Sequence, residues 1–253
     1  MDLRRLEQSG WRSFRPELFL NEPGRKARNV APQLLSIVRE FSGGSSVLEL
    51  CCGAGRLCLE LARAGLDVTG IDLDDRMLAV TQQAAAGERE PVRNRLRFRQ
   101  ADVCTFSLDE RFDFIILEDD GFVYLLDTQD QLACLERIRT HLGDQGKFFL
   151  SFPTPQRELD GDYARNILGG EDFTYDPQRQ IKTCRCAWTT VGHDGTRTTV
   201  REGFERRRLT YPCELDLLLQ GSGLTVLARW GDLDRAPFTD PSRQDYHYLC
   251  ARA

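Results

Sequence analysis

Much that would mark a specialised chain is missing here. No run of about 18 apolar residues occurs, so no segment is expected to span a membrane. Histidine is limited to His141, His193 and His247, far apart in the chain. No CxxC pair occurs; Cys51 and Cys52 are adjacent in an apolar stretch, and only Cys184 and Cys186 form a close spaced pair. That donor set does not suit zinc, and no metal is expected. Basic residues are not in excess: 34 Lys and Arg face 39 Asp and Glu, a net charge of −5. A broad nucleic-acid footprint is therefore absent, and no nucleic-acid partner is expected. Gly (21) and Pro (10) are too few for a collagen-like chain, and 41% hydrophobic residues are too many for a disordered one. The nine cysteines are odd in number and mostly scattered through apolar segments, and no apolar secretory run follows Met1. Reduced thiols and a cytoplasmic location are the expectation.

What is present is alternation. Leu34, Leu35, Ile37, Val38 and Phe41 recur at helical spacing before Gly43-Gly44. Ser46 to Leu50 reads as a buried strand, followed by a turn at 51–55 and a helix carrying Leu57, Cys58, Leu61 and Ala62, ended by Gly65. A second strand is expected over Asp67 to Asp72, with Asp74 or Asp75 capping the next helix. A third carries Leu96 and Phe98 and ends near Asp102; a fourth runs from Phe112 to Leu117, apolar enough to be buried on both faces. Leu132, Leu135, Ile138 and Leu142 mark a helix with Gly143 past its end, and Lys147 to Phe152 is a fifth strand. His141 reads as a charge at that helix's C-terminus. The pattern breaks at Pro153, and 182–190 and 196–209 suggest an antiparallel pair. A helix at 212–221 and strands at 224–230 and 246–251 complete the chain. The reading is an α/β fold: a Rossmann-like, seven-stranded, mostly parallel sheet flanked by helices, with an antiparallel β insertion after the fifth strand. It divides into an N-terminal segment at 1–29, a core at 30–152, the insertion at 153–209 and a completion of the sheet at 210–253.

In such a sheet ligands bind at the carboxyl ends of the strands. The first of these loops, Glu49-Leu50-Cys51-Cys52-Gly53-Ala54-Gly55-Arg56, brings two glycines and their amides beside a helix start. Asp72 closes the second strand, where a carboxylate can accept both hydroxyls of a ribose, and Asp102 closes the third, where an adenine edge would lie. A dinucleotide wants a third glycine, but Cys58 holds that position. S-adenosylmethionine needs no phosphate cradle. The segment Val47 to Arg56 resembles the first motif of the class I S-adenosylmethionine-dependent methyltransferases. Thr69-Gly70-Ile71-Asp72 resembles their ribose motif, and Gln100-Ala101-Asp102-Val103 their adenine motif. The segments 112–117 and 141–147 are similar to the family's fourth strand, following helix and fifth strand. The resemblance implies S-adenosyl-L-methionine as cofactor and S-adenosyl-L-homocysteine as product. It places Glu49, Cys51, Gly53, Gly55, Asp72, Leu73, Met77, Asp102, Val103 and Glu118 against the cofactor. One departure is Cys51, where the family usually has glycine.

The acceptor would meet the end of the fourth strand, Leu117-Glu118-Asp119-Asp120-Gly121-Phe122-Val123-Tyr124. Related small-molecule enzymes often carry an amide at the position of Asp120 and a histidine at that of Tyr124. Asp120 and Tyr124 are the candidate catalytic residues, and the acidic variant leans toward an amine. Phe122 is expected in the core and Arg206-Arg207-Arg208 on a solvated or ion-paired surface; His193, in a hairpin loop, and His247, on the last strand, are minor candidates that are not placed in the site. Trp11, Phe14 and Arg15 could form a lid, and the 181–209 hairpin an acceptor cover or a dimer seam. The expected activity is methyl transfer to a small molecule, nitrogen favoured slightly, in a monomer or homodimer. An O-methyltransferase and a non-catalytic S-adenosylmethionine-binding regulator are the alternatives.

Overall fold

Strand β1 (Ser46–Leu50), buried at four of its five positions, lies third of the seven strands of the sheet and sets its organisation. The computed structural model describes residues 3–10, 30–118, 120–160, 173–191, 196–242 and 244–253, with backbone alone for 186–191 and 197–202. Parallel to β1 run β2 (Asp67–Asp72) on one side and β4 (Phe112–Leu117) on the other. Beyond β2 lies β3 (Leu96–Gln100), and beyond β4 the long β5 (Leu142–Pro153). Two late strands, β9 (Leu224–Trp230) and β10 (Asp245–Arg252), complete the sheet in the order β3-β2-β1-β4-β5-β10-β9, with β10 antiparallel to both neighbours. The winding direction reverses between β1 and β4, which opens a crevice at their carboxyl ends.

Both faces of the sheet are covered. One packs Leu48, Leu50, Ile115, Leu117, Phe148 and Leu150 with residues of α6 (Thr128–His141) and α8 (Pro212–Gly221). The other packs Val47, Phe114, Ile116 and Phe149 with α2 (Ala31–Phe41) and α3 (Arg56–Arg63). β4 contributes to both, which is why its sequence is almost wholly apolar. Helix α4 (Asp75–Ala86) begins at Asp74, whose carboxylate accepts from the Arg76 amide, the expected N-cap.

After β5 come α7 (Pro155–Leu159) and a separate three-stranded antiparallel sheet, β6 (Phe173–Asp176), β7 (Ile181–Val191) and β8 (Arg197–Arg208). The antiparallel pair was anticipated, but β6, α7, the short α5 (Glu90–Arg93) and the N-terminal α1 (Arg4–Gln8) were not.

Two details at the α6–β5 junction correct the sequence reading. β5 starts directly at Leu142, which turns extended and pairs with Phe112; the register then shifts before Phe114 meets Lys147. Gly143 is thus part of an irregular strand rather than a left-handed helix cap, and its φ is not positive. His141 is also no helix-end charge. It is buried, its Nδ1 faces the Arg137 carbonyl at 2.7 Å, and its Nε2 accepts the Leu108 amide at 2.9 Å. One donor and one acceptor nitrogen describe a neutral ring, stacked on Phe106. Among the described residues no helix is long and apolar enough to cross a membrane.

Candidate active site

Three loops meet at the carboxyl edge. In the first, Cys51, Gly53 and Gly55 all adopt left-handed backbone, with φ of 55°, 54° and 73°. Glycine reaches this region without steric penalty, whereas a Cβ costs roughly 1–2 kcal/mol; Cys51 bears that cost. Space for its side chain is found opposite, at the loop after β4. A Cβ on Gly121 would lie 3.0 Å from Cys51 Cβ and 3.1 Å from its Sγ. Gly55 caps α3, and a Cβ there would lie 2.3 Å from Thr81 Cγ2. The Thr81 hydroxyl donates to the Gly53 carbonyl at 2.7 Å and to the Met77 carbonyl at 3.0 Å, tying the turn to α4.

Asp72 joins the first loop to the second. Its Oδ2 accepts the Gly53 amide and its Oδ1 the Asp74 amide, both at 2.8 Å. A carboxylate offers about four lone-pair sites, so two backbone donors leave acceptor capacity for ribose hydroxyls. Burial nevertheless raises the Asp72 pKa to about 6, against the lowering effect of those amides. Glu49, at the end of β1, is pushed up to about 7 by burial, and its Oε2 has no hydrogen-bond partner. Next to Asp72, the Leu73 carbonyl accepts Gln100 Nε2 at 3.1 Å, and Met77 is fully buried with its Cε facing Gly53.

The third loop follows β3, whose Gln100 pairs with Asp72, and the Ala101 amide bonds the Asp72 carbonyl at 2.9 Å. Asp102 is buried, its Oδ1 accepts the Cys104 amide at 2.9 Å, and its Oδ2 is paired with Arg5 of α1. Val103 is buried beside it. The carboxylates assigned to ribose and adenine therefore stand on adjacent loops on one edge of the sheet.

The acceptor-side residues meet a cluster of charges that the sequence did not announce. Asp120, itself left-handed at φ 72°, precedes a 3-10 turn (Gly121–Tyr124). Its Oδ2 takes a bond of 2.8 Å from Arg207 on β8. The same guanidinium donates at 2.8 Å to Glu158 on α7 and at 2.8 Å to Glu205 on β8. Lys182 on β7 closes the far side on Glu158 at 3.0 Å, both side chains fully buried. Tyr124 donates its hydroxyl to Glu205 at 2.5 Å and lies with its ring 5.6 Å from the Arg207 guanidinium. Burial opposes the charge of Arg207, but Asp120, Glu205 and Glu158 together hold its pKa above the ordinary arginine value.

The arginine run is thus ion-paired, as one of its two readings had it, but not solvated. Arg207 and Arg208 are 3% and 6% exposed, and only Arg206 faces water. Arg208 bonds Gln131 at 2.8 Å and Glu214 at 2.5 Å. Glu205 and Arg207 share one face of β8, so strand alternation announces that the two act together. Their partners Asp120 and Glu158 are far off in sequence and carry no signal. Phe122 is in the core as expected.

Glu118 and Asp120 line a cavity of about 220 Å³ at the ends of β4 and β5, with Ser151, Arg157, Asp232, Asp245 and His247 among the other walls. A larger hollow of about 570 Å³, between α6 and the turn after α8, holds none of these residues. Trp11, Phe14, Arg15, Asp119 and His193 lie outside the described residues.

Comparison with known proteins agrees with this geometry. Residues 47–146 match the family model described as a methyltransferase domain. The Bacillus subtilis protein YqeM is 30% identical over 101 residues, 40% of this chain and 39% of that protein. The chain therefore spans about 40% of the length of the first curated relatives it matches. The cypemycin N-terminal methyltransferase of a Streptomyces species is 24% identical over 205 residues, 79% of this chain and 81% of that protein. The structure of the CcbJ methyltransferase from Streptomyces caelestis shares the fold, with a TM-score of 0.74 and 22% identity over 88% of this chain and 90% of that one. The glycopeptide N-methyltransferase MtfA complexed with S-adenosyl-L-methionine does so at 0.61 and 22%, over 87% of each chain.

Proposed function

We propose that this protein, whose residues 47–146 match a methyltransferase domain, is a class I S-adenosylmethionine-dependent methyltransferase that transfers a methyl group from S-adenosyl-L-methionine to the amine nitrogen of a small molecule. The observation that carries the reading is the junction at Asp72. One carboxylate holds the Gly53 amide of the first loop while its own carbonyl holds the Ala101 amide before Asp102. Ribose and adenine recognition thereby fall on one continuous, internally bonded surface. The residues also suit a cationic ligand. Glu49 leaves a buried oxygen without a hydrogen bond, and its pKa of about 7 reflects a charge that burial disfavours and a nearby cation would restore.

When bound, the cofactor supplies a methyl group on a cationic sulfonium, open to in-line displacement. Asp72 and Asp102 fix the nucleoside end, and the Gly53–Gly55 turn lets backbone approach closely. On the acceptor side, Glu118 and Asp120 border the cavity. Four carboxylates line it (Glu118, Asp120, Asp232 and Asp245), of which Asp120 is paired with Arg207 at 2.8 Å and Asp245 with Arg157 at 2.5 Å, so carboxylates outnumber the guanidinium groups that meet them. That balance draws an ammonium group more readily than an anion. An ammonium drawn here would first give one proton to a carboxylate of this wall or to water, and the nitrogen lone pair so exposed would then be free to take the methyl group that the bound cofactor would supply. Tyr124, with its O–H committed to Glu205, offers its oxygen as a hydrogen-bond acceptor for an N–H.

The reading is supported further by a relative named cypemycin N-terminal methyltransferase and by a protein of shared fold named glycopeptide N-methyltransferase. The test is deuteromethyl transfer from labelled cofactor into a panel of amino sugars, short peptides with a free N-terminus, catechols and transfer RNA, read by mass spectrometry. Label on amine nitrogen is expected. Label confined to hydroxyls or RNA overturns the amine assignment, and cofactor binding without turnover on any class points to a regulator. In parallel, Asp72→Ala is expected to weaken cofactor binding by about 1.5–3 kcal/mol, the scale of charge-assisted hydrogen bonds. Unchanged affinity in calorimetry removes Asp72 from the ribose site.

A further inference from the structure

Helix α1 has five residues, too few to hold a helical conformation unaided, so its place is set by what it touches. At one end Arg5 pairs with Asp102, the carboxylate of the third loop, and also with both oxygens of Asp130 at the start of α6, with Nε at 3.0 Å. Leu6 is buried. At the other end the Ser9 carbonyl accepts the Arg206 amide of β8 at 3.0 Å. Gly10 runs so close to that strand that a Cβ would lie 1.7 Å from the Phe204 carbonyl oxygen. Arg206 stands between Glu205 and Arg207, the two residues of β8 that hold Tyr124 and Asp120. A single short element is thus pinned on the floor assigned to adenine and on the strand that organises the acceptor side.

We propose that Arg5 is a positioning residue that couples the two halves of the site: it orients Asp102 for the adenine edge and, through α1, makes the docking of β8 depend on cofactor. The inference rests on the methyltransferase reading above. Asp102 uses one acceptor site for Cys104 and one for Arg5, which leaves its remaining lone pairs to an exocyclic amine. Because α1 is ordered only by its contacts, anything that steadies its Arg5 end lowers the cost of ordering its Ser9–Gly10 end. Linkage makes the effect reciprocal. Cofactor bound first would therefore firm up Glu205 and Arg207 before the acceptor arrives.

The experiment uses the full chain and S-adenosyl-L-homocysteine as probe, with affinity from calorimetry and backbone hydrogen exchange over 203–209. In the unmodified protein the probe is expected to slow exchange along β8, the Arg206 amide included. Arg5→Gln should bind the probe about tenfold more weakly, near the low end of ordinary couplings, and lose the β8 response. Arg5→Lys should keep part of both. Gly10→Val clashes with β8 and strains the left-handed end of α1 while leaving Arg5 in place, so it should abolish the response while the probe still binds and tests the coupling even if Arg5→Gln folds poorly. A β8 response that survives in Arg5→Gln or Gly10→Val overturns the proposal. So does an unmodified protein that binds the probe without any change at β8, which leaves the methyltransferase reading standing. Failure of the unmodified protein to bind the probe overturns both.

Discussion

Replacing Arg207 by methionine removes the charge at the hub of the buried cluster while keeping much of its volume. In the native protein the guanidinium balances Asp120, Glu158 and Glu205 at 2.8 Å each, and Lys182 supplies the other positive charge. Arg207→Met leaves three carboxylates against Lys182 alone, with Glu158 and Glu205 wholly buried. Removing one partner of a buried pair strands its counter-charges, a loss of about 3–5 kcal/mol. For a chain of this size each kcal/mol shifts the melting temperature by roughly 2–4 °C, so a drop of about 10 °C is expected. Denaturant unfolding should show a lower midpoint at unchanged slope. The deficit should also shrink as the pH falls. A stranded carboxyl has a folded pKa above its unfolded one, so folding takes up protons, and the penalty vanishes once both states are protonated. Asp120→Asn with Glu205→Gln in the Arg207→Met background should recover much of the loss at neutral pH. A deficit below about 1 kcal/mol, the range of exposed pairs, or one that is constant between pH 5 and 8, would refute the assignment of Arg207 as the charge that holds the acceptor side together.

Two more expectations follow from the same surface. Asp72 and Glu49 have pKa values raised from 3.8 to about 6 and from 4.5 to about 7. Their folded values exceed the unfolded ones, so their contribution to ligand-free stability falls as pH climbs through that window. Cofactor affinity should move the opposite way, because hydroxyl donors and a cation both favour the ionised carboxylates. Calorimetry from pH 5 to 8 is expected to show binding that strengthens with pH, by up to about tenfold per pH unit for each group, below about 6 for Asp72 and below about 7 for Glu49, with proton release, and a flat profile would contradict it. Gly121→Ala places a Cβ 2.6 Å from Leu117 Cδ1 and 3.0 Å from Cys51 Cβ. It should destabilise by about 1–3 kcal/mol, as overpacking does. Cys51→Gly in the same chain should restore at least half of that; additive losses in the double-mutant cycle would show that the two positions are not in contact.

The parts of the fold that could be read from sequence are those where one physical constraint acts alone. β1, β2 and β4 begin and end where expected because short, mostly buried runs are bounded by glycine and polar residues at the turns. The start of β5 was misplaced because Leu142 fits equally well as the last apolar position of α6's stripe and as a strand residue. Pairing with Phe112 decides between them, and that contact is tertiary. His141 misled in the same way. Its place near a helix end fits a charge, yet burial and the Leu108 amide select the neutral ring. α1 is illegible in principle, since a five-residue helix has no periodicity to read and exists through Arg5, Leu6 and Ser9.

The same contrast separates the two halves of the site. Gly53, Asp72 and Asp102 serve one ligand from three successive loops of a repeating unit, so their spacing along the chain is itself the signal. The acceptor half is assembled from β4, α7, β7 and β8, elements with no common period, and is held by charge balance. The acidic run Glu118-Asp119-Asp120 invites the idea of a carboxylate facing the acceptor directly. In the fold the charge of Asp120 is compensated by Arg207, as that of Asp245 is by Arg157, and Glu118 and Asp232 stand on the same wall. Selection for a cationic acceptor would then act through the cavity as a whole. Neutralising Asp120 alone should perturb Arg207 and Tyr124 more than the attraction of the cavity for an ammonium group. An Asp120→Asn protein that loses acceptor KM while its fold and cofactor affinity stay intact would return Asp120 to direct recognition.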